Sequence, residues 1–371
     1  MPEQVTTLIS SIYPPDEGGP ATFTESFSRF LLNQGTRVQI FTYSDFSQIM
    51  RLTKSFRLRR VTRRLPLIIR LPLFSFLLLV MTRRGSRVLA NGAFLECIPL
   101  IFFKKVDLVT KIPGDIVWER AVAKNKTNLN VFDFQDLKLS KKYVIFRRLF
   151  LYTLNKSKFV IVPSNYLYEL CVRWGVNEDR IVLLKNTVDT QRFTPHDIEK
   201  VYDLIFIGRL VGVKQIDEII DVATRNDLSL LIVGSGPLES SLKMAVAETG
   251  GDVTFLGSVT QENLPEVICT AKIFVQNSEI EATSYALLEA RSCGLISIAN
   301  EMTGAAEVIR HKHDGYLFGN KHGLNLEGAV LEAMKLSGDD EKLFQSRARV
   351  DCIERFDRDR LYSLIQGLLL T

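Results

Sequence analysis

The sequence predicts an α/β protein with two domains, each built on a doubly wound parallel sheet. The chain has 371 residues, about twice the length of a typical domain. Short β-branched segments alternate with helical patterns along most of it, and the alternation starts again after a polar stretch without periodicity. We therefore expect an N-terminal domain at 1–188, a linker at 189–200, a second domain at 201–354 and a C-terminal helix at 355–371 that crosses back to the first domain.

The elements of each half follow from this alternation. In the first half, an amphipathic helix from Ala21 to Asn33 comes after a glycine-rich turn, and strands are expected at VTTLISS, RVQIFTY, RVLAN, DLVTK, FVIVPS and RIVLLKN. In the second half they are expected at YDLIFIGRL, LSLLIVGSG, DVTFLGS, KIFVQNS and LISIAN, with two closing helices near 340–354 and 358–370. Ligands of such sheets bind at the carboxyl ends of the strands, so we expect the two domains to face a central cleft.

Composition excludes several classes of protein. The five cysteines are odd in number, widely spread and never form a CxxC pair, so neither a disulfide framework nor a zinc site is indicated, and no metal or cofactor is expected. A reducing cytosol fits this usage. The first residues lack the pattern of a signal peptide, which favours a cytoplasmic protein.

Positive charge is concentrated in one segment. Residues 51–90 hold eleven Arg or Lys and no Asp or Glu, and they flank the apolar run Leu71 to Met81. Eleven residues are too few to span a bilayer, which needs roughly 20. Residues 51–87 are consistent with a buried helix that has charged ends, or with docking to an anionic membrane face or acceptor. Nucleic acid is disfavoured because aromatic residues do not alternate with the arginines.

Two glycine-rich turns follow strand candidates. Gly18 and Gly19 precede the first helix, and Gly234 opens GSGP in the second half. Glycines at such positions let the backbone approach a phosphate or a sugar, although a plain tight turn explains them equally. The GSGP turn lacks the spacing of a dinucleotide fingerprint, which argues against a nicotinamide dehydrogenase.

Two cations follow the first strand of the second half, in IFIGRLVGVKQ. Arg209 offers a planar fork and Lys214 a mobile point charge, a combination that suits a diphosphate at a strand end. The alternative is a pair of solvated surface cations.

A pair of glutamates brackets a predicted helix start, in EIEATSYALLEARSCG. KIFVQNS predicts a strand, Thr283 or Ser284 is the expected N-cap, and Gly294 ends the helix. We expect Glu281 and Glu289 to accept hydrogen bonds from sugar hydroxyls. Between the two glutamates, the free N–H groups at the helix start are expected to bind a diphosphate.

These motifs together resemble the retaining GT-B glycosyltransferases of family 4. The resemblance rests on FIGRL with Lys214, LLIVGSGP, VTFLGSV, QNSEIEATSYALLEARSCG, GAAEVI and DGYLF, and on YPPDEGGPATF, VIVPSNYL and LLKNTVD in the first half. It implies two Rossmann-like domains and an enzyme that moves a hexose from a UDP- or GDP-sugar to a hydroxyl of a glycan or lipid-linked acceptor. The basic segment supports an acceptor of envelope polysaccharide or glycolipid synthesis at the inner face of the cell membrane. Metal independence is expected because no Asp-x-Asp pair lies at a strand end.

The resemblance also implies that the second domain holds the donor and the first the acceptor. Arg209 and Lys214 would hold the diphosphate, Glu289 the ribose hydroxyls, and the loop at Ser258 and Val259 the nucleobase.

The donor sugar and its phosphate would contact Glu281 and the amides of Ala282, Thr283 and Ser284. Many relatives have EGFG where this chain has EATS. We expect activity to survive this departure, because backbone amides bind the donor and Ser284 can cap the helix.

A second departure concerns the first domain, where many relatives carry a histidine near the sugar and this chain has none in the core. The segment KIPGDIVWER looks like a subgroup with K-x-x-G-D-x-x-W-E-R. The resemblance transfers the local role to Asp115, with Lys111, Gly114 and Glu119 as neighbours. The alternative is that Asp115 caps a helix.

Two other functions stay open at this point. A non-catalytic GT-B binding or scaffolding protein would explain the two departures, whereas the intact Arg209, Lys214, Glu281 and Glu289 oppose it. Another enzyme on the same fold, such as a sugar-nucleotide epimerase or a phosphorylase, is the second alternative.

Overall fold

The computed structural model describes residues 5–16, 18–45, 56–122, 124, 126, 127, 129 and 131–371. The chain forms two compact units. The first comprises Met1–Leu184 with Tyr362–Thr371, and the second comprises Lys185–Leu361. The predicted linker at 189–200 lies in the second unit, where it is irregular after a short turn.

The first unit is built on a seven-stranded parallel sheet in the order β3-β2-β1-β4-β5-β6-β7. The strands are β1 (Val5–Ser10), β2 (Arg37–Tyr43), β3 (Phe56–Val61), β4 (Arg87–Asn91), β5 (Asp107–Lys111), β6 (Phe159–Val162) and β7 (Ile181–Leu183). The helices are α1 (Gly19–Asn33), α2 (Leu67–Met81), α3 (Ile98–Phe103), α4 (Ile116–Val122), α5 (Lys141–Lys156) and α6 (Asn165–Arg173). The central strands are buried almost throughout, as expected when helices cover both faces of a parallel sheet.

The second unit repeats this design with a six-stranded parallel sheet in the order β10-β9-β8-β11-β12-β13. Its strands are β8 (Tyr202–Ile207), β9 (Leu230–Val233), β10 (Val253–Gly257), β11 (Ala271–Gln276), β12 (Ile296–Asn300) and β13 (Tyr316–Phe318). Its helices are α7 (Ile216–Arg225), α8 (Glu239–Thr249), α9 (Leu264–Cys269), α10 (Tyr285–Ser292), α11 (Leu326–Met334) and α12 (Gly338–Phe356). Two apolar clusters of buried residues fill this unit.

The predicted fold class and all eleven predicted strands are confirmed, but β3 and β13 were not predicted. Arg57, Arg59 and Arg60 interrupt the apolar pattern of β3, although its pairing with β2 buries Leu58 and Val61. β13 has only three residues, too few for a visible alternation.

α2 contains the apolar run of the basic segment and is not the fully buried helix of the first predicted description, whereas docking stays a prediction. Only Phe74, Ser75 and Leu78 are buried, so one side of the helix packs on the domain while the other exposes apolar side chains. Pro72 lies inside the helix without ending it. Residues 51–55 of the predicted docking segment lie outside the described residues. In the part of the chain that the structure describes, no helix combines the length and the apolar character needed to cross a membrane.

The last turns of the C-terminal helix α13 (Arg358–Leu370) belong to the first unit. The Tyr362 ring is buried, and its centroid lies 5.7, 5.2 and 5.7 Å from those of Phe23, Phe27 and Phe30 of α1. This aromatic cluster makes residues 362–371 part of the N-terminal domain.

Candidate functional site

The candidate site lies at the carboxyl edge of the second sheet, between β8 and β11. Chain connections from β8 run to β9 and β10 on one side, whereas β11, β12 and β13 lie on the other. The strand order therefore reverses between β8 and β11, and such a reversal leaves a crevice outside the strand ends. Arg209 and Lys214 follow β8, and Glu281 follows β11.

The loop after β8 presents its two cations differently. Arg209 is exposed, and its guanidinium makes no hydrogen bond or ion pair with any residue that the structure describes. Lys214 ends a 3-10 turn, and its ammonium pairs with the Glu281 carboxylate. Sequence analysis predicted these residues for the site, and the structure brings Lys214 and Glu281 into direct contact.

Backbone contacts fix the loop after β11 against its neighbours. Glu279 N–H donates to the Val213 carbonyl at 2.9 Å, and Gly304 N–H donates to the Glu281 carbonyl at 2.8 Å. A Cβ on Gly304 would lie 2.3 Å from the Ala282 carbonyl oxygen, so only glycine permits this approach. The backbone that carries Glu281 is thus hydrogen-bonded to two neighbouring loops.

α10 begins at the candidate site as predicted. The Ser284 hydroxyl accepts from Leu287 N–H at 3.4 Å, and the helix ends before Gly294, which has a φ of 82°. Asn186 donates its amide to the Thr283 carbonyl at 2.6 Å. The N–H groups of Ala282 and Ser284 find no acceptor among the described residues. They are available to an anion at the positive end of the helix dipole.

Glu289 lies in the interior of α10, with only 5% of its surface exposed. Burial raises the pKa of this carboxyl to about 7, although Gln261 donates to its Oε1 at 3.3 Å and Arg192 lies near enough to oppose the shift. Gln261 was not a predicted site residue. It occurs in the polar stretch TQEN without a motif that would single it out.

The other predicted donor residues of the second unit have structural contacts of their own. A Cβ on Gly234 would lie 2.0 Å from the Gly208 carbonyl oxygen, so this glycine lets the loops after β9 and β8 pack together. Ser258 is exposed and its hydroxyl lies 3.1 Å from that of Ser235, while Val259 packs on the apolar core. Of Gly234, Ser258 and Val259, Ser258 therefore offers an exposed polar side chain at this edge.

In the first unit, Gly18 and Gly19 lie at the start of α1, near the point where strand order reverses between β1 and β4. Gly18 has a φ of 141°, and Asn91 at the end of β4 donates its amide to the Pro20 carbonyl at 3.2 Å. Asn91 was not predicted. Its amide joins the two loops that border this edge of the sheet.

Lys111 is buried at the end of β5, close to the same edge. Its Nζ lies 4.8 Å from the centre of the Phe23 ring, a cation–π distance. Burial lowers the pKa of the ammonium to about 7.

Asp115 caps α4. Its Oδ1 accepts from the N–H groups of Val117 and Trp118 at 2.8 and 3.1 Å, and its Oδ2 accepts from Gln135 Nε2 at 2.9 Å. The Arg147 guanidinium lies 3.7 Å from Oδ2, and the Asp115 side chain is fully buried. Both carboxylate oxygens are thus occupied by structural contacts. Asp115 acts as a helix cap, which was the alternative to a role near the sugar. We therefore do not include Asp115 in the proposed chemistry.

Metal ligands are not grouped in the described residues: no three His, Cys, Asp or Glu side chains there converge as a metal site would require.

Two family models match the chain in succession. "Glycosyltransferase Family 4" matches residues 17–192, and "Glycosyl transferases group 1" matches residues 188–350. The chain belongs to the family 4 glycosyltransferases. The predicted family is thereby confirmed.

Solved structures share the GT-B fold of this family 4 member. Sucrose-phosphate synthase from Thermosynechococcus elongatus superimposes with a TM-score of 0.81 at 18% identity, over 98% of either chain. HepE of Anabaena, in complex with UDP and glucose, gives a TM-score of 0.76 at 15% identity, over 99% of either chain. At these identities the likeness establishes the fold.

Curated relatives match shorter stretches of the chain. A component of phosphatidylinositol N-acetylglucosaminyltransferase from Arabidopsis thaliana is 30% identical over 148 residues, which are 37% of this chain and 33% of that protein. N-acetyl-alpha-D-glucosaminyl L-malate synthase from Bacillus anthracis is 29% identical over 169 residues, which are 43% of either chain. This family 4 chain therefore spans less than half the length of these two relatives.

Proposed function

We propose that this protein is a retaining hexosyltransferase that uses a UDP- or GDP-sugar as donor. The observation that carries the proposal is the meeting of Lys214 with Glu281 at the strand reversal, beside the start of α10. Positive charge for a diphosphate and a carboxylate for sugar hydroxyls are adjacent there. The family membership and the fold shared with a UDP-bound protein support the same assignment.

The chemistry follows from where charge develops. The bond between the anomeric carbon and the diphosphate oxygen breaks, the acceptor oxygen bonds to that carbon on the same face, and the acceptor proton passes to the departing phosphate. Arg209, Lys214 and the N-terminus of α10 stabilise the negative charge that grows on the diphosphate. Glu281 and Glu289 accept hydrogen bonds from the donor hydroxyls and take no part in proton transfer.

We further propose that catalysis needs no metal ion. Divalent cations neutralise diphosphate charge in many transferases, and here two cationic side chains and a helix N-terminus supply positive charge at the same place. Metal-free protein should therefore keep its donor affinity and its turnover.

The first domain is proposed to bind the acceptor, a hydroxyl of a glycan or a lipid-linked intermediate in envelope polysaccharide or glycolipid synthesis. The name of the Arabidopsis thaliana relative specifies phosphatidylinositol, which supports a lipid carrier. An enzyme acting on such an acceptor would work at the inner face of the cell membrane.

Donor binding tests this proposal directly. Thermal unfolding of the purified protein is followed with a panel of UDP-, GDP- and ADP-sugars, each with and without EDTA. A bound donor at 100 times its dissociation constant stabilises the folded state by roughly 2.7 kcal/mol. We expect one UDP- or GDP-sugar to raise the unfolding temperature equally in both series, and Arg209→Ala to remove the rise. No shift with any nucleotide sugar, or a shift that EDTA abolishes, would contradict the proposal.

A further inference from the structure

α2 exposes an apolar stripe along its full length. Ile69, Leu73, Phe76 and Val80 follow one another at helical spacing and are all exposed, Phe76 to 61%. Fifteen residues of helix extend roughly 22 Å at 1.5 Å per residue. Solvent therefore meets an apolar helix side where a surface helix normally presents polar side chains.

Two further helices extend this surface. α3 packs beside α2 and exposes Phe102 and Phe103, the latter to 72%. α5 packs beside α3, where the Phe102 and Tyr152 rings stack at 5.7 Å, and it exposes Ile145 and Leu149. The connections β3 to β4, β4 to β5 and β5 to β6 run in one direction across the sheet. Right-handed crossovers therefore place the three helices on one face.

Positive charge surrounds the apolar surface. Arg83, Arg84 and Lys105 are exposed at the ends of α2 and α3, and a hydrogen bond from Gly85 N–H to the Lys104 carbonyl at 3.4 Å joins the two ends. Arg83, Arg84 and Lys105 form no ion pair with a described residue.

The exposed side of α5 is also positively charged, because it carries Lys141, Lys142 and Arg148.

Acidic groups that could cancel this charge are few. Between 56 and 106 the sequence has one acid, Glu96, which is buried and accepts from the Tyr43 hydroxyl at 2.7 Å. Asp107 at the start of β5 is exposed beside Lys105. α2, α3 and α5 contain no Asp or Glu.

We propose that the face formed by α2, α3 and α5 docks on the surface of an anionic phospholipid bilayer, with the apolar stripe of α2 inserted among the acyl chains. Apolar side chains gain by leaving water, and the surrounding cations gain from the negative headgroups. A protein partner with a complementary acidic rim is the main alternative occupant. A second copy of this chain is disfavoured, because two such faces of like charge would repel each other. Positive charge along three helices favours the membrane. The inference rests on the proposed function for its purpose, which is access to a lipid-linked acceptor, and it enlarges the predicted docking segment by α3 and α5.

Co-sedimentation with vesicles tests the docking without donor or acceptor, so its outcome is independent of transfer activity. The probes are vesicles of phosphatidylcholine alone and of equal parts phosphatidylcholine and phosphatidylglycerol. We expect the wild type to partition at least roughly tenfold more strongly to the anionic vesicles, and raised salt to reduce this preference. The double variants Phe76→Ser with Phe103→Ser, and Arg84→Glu with Lys105→Glu, should each lose at least roughly tenfold in partition.

Matched variants of the second unit control for general loss of apolar surface or charge. Val201→Ser with Met244→Ser removes side chains exposed to 62% and 66%, and Lys335→Glu with Lys342→Glu reverses two exposed cations. Both should bind as the wild type does. All substituted side chains are exposed, and unchanged thermal unfolding verifies the fold of each variant. Equal partition to both vesicle types would overturn the proposal. So would wild-type binding by the Phe76 and Phe103 variant, or a dimer in light scattering that this variant abolishes while no vesicle is bound.

Discussion

Glu289 shows how burial alters one functional group. Burial raises the pKa of this carboxyl from 4.5 to about 7, so a large fraction of it is protonated near neutral pH. A hydroxyl of a sugar can donate to the ionised form, so donor binding would favour loss of the proton. Sequence spacing identified Glu289 as a candidate, whereas its burial and its contact with Gln261 depend on tertiary packing of the 258–263 loop that no local pattern encodes.

The pH dependence of folding stability tests this burial. A raised folded-state pKa means that the folded protein holds the proton more tightly than the unfolded chain. This group therefore lowers the free energy of unfolding as the pH rises from 4.5 to about 7, with a total of roughly 3 kcal/mol. Glu289→Gln lacks the titration, so it should gain stability relative to the wild type between about pH 4.5 and about pH 7. Urea unfolding of both proteins measures the difference, and parallel pH profiles would refute the shift.

Asp115 caps a helix, although its motif suggests a role in the chemistry. Its carboxylate accepts hydrogen bonds from the first free N–H groups of α4. Gln135 and Arg147 contact its other oxygen. The motif suggested Asp115, but it could not distinguish a helix cap from a catalytic group, because an aspartate suits either role.

Substitutions at Asp115 separate the two roles. Asparagine caps helices about as well as aspartate, whereas Asp115→Ala should lower the free energy of unfolding by about 1 to 3 kcal/mol, since it removes the cap and one acceptor of the Gln135 amide. On our account Asp115→Asn keeps most of its turnover. A large loss of turnover in Asp115→Asn at unchanged stability would instead assign the residue to catalysis.

At the scale of elements, periodicity predicted most of the sheet but failed where charge or shortness masked it. β3 carries three arginines in six residues, and β13 has three residues in all. The outer side of α2 was equally hidden, because an all-apolar segment does not reveal which of its sides the domain covers.

For the whole molecule, the chain returns to its first domain at the C-terminus. The Tyr362 ring is 1% exposed among Phe23, Phe27 and Phe30. The sequence predicts that the final helix crosses back to the first domain, but the residues that it contacts there could not be read from its own sequence. The contact depends on the aromatic face of α1, more than 300 residues earlier.

Tyr362→Ala should lower the free energy of unfolding of the first unit by about 3 kcal/mol or more, since it leaves a cavity within the aromatic cluster. Both tryptophans, Trp118 and Trp174, lie in that unit, so their fluorescence reports its unfolding. The control is Leu364→Ala on the exposed side of the same helix, which should change stability by less than about 0.5 kcal/mol. Equal effects of the two variants would contradict the packing of the C-terminal segment described above.

The most direct test of the central claim is nucleoside diphosphate release from nucleotide sugars by purified protein, with an array of glycan and lipid-linked acceptors. Arg209→Ala is compared with the wild type and with Arg225→Ala, an exposed arginine at the end of α7 in the same unit. We expect release from one UDP- or GDP-sugar, lowered roughly 100-fold or more in Arg209→Ala and unchanged in Arg225→Ala. Wild-type release by Arg209→Ala, or no release from any donor and acceptor pair, would contradict the assignment of this site to glycosyl transfer.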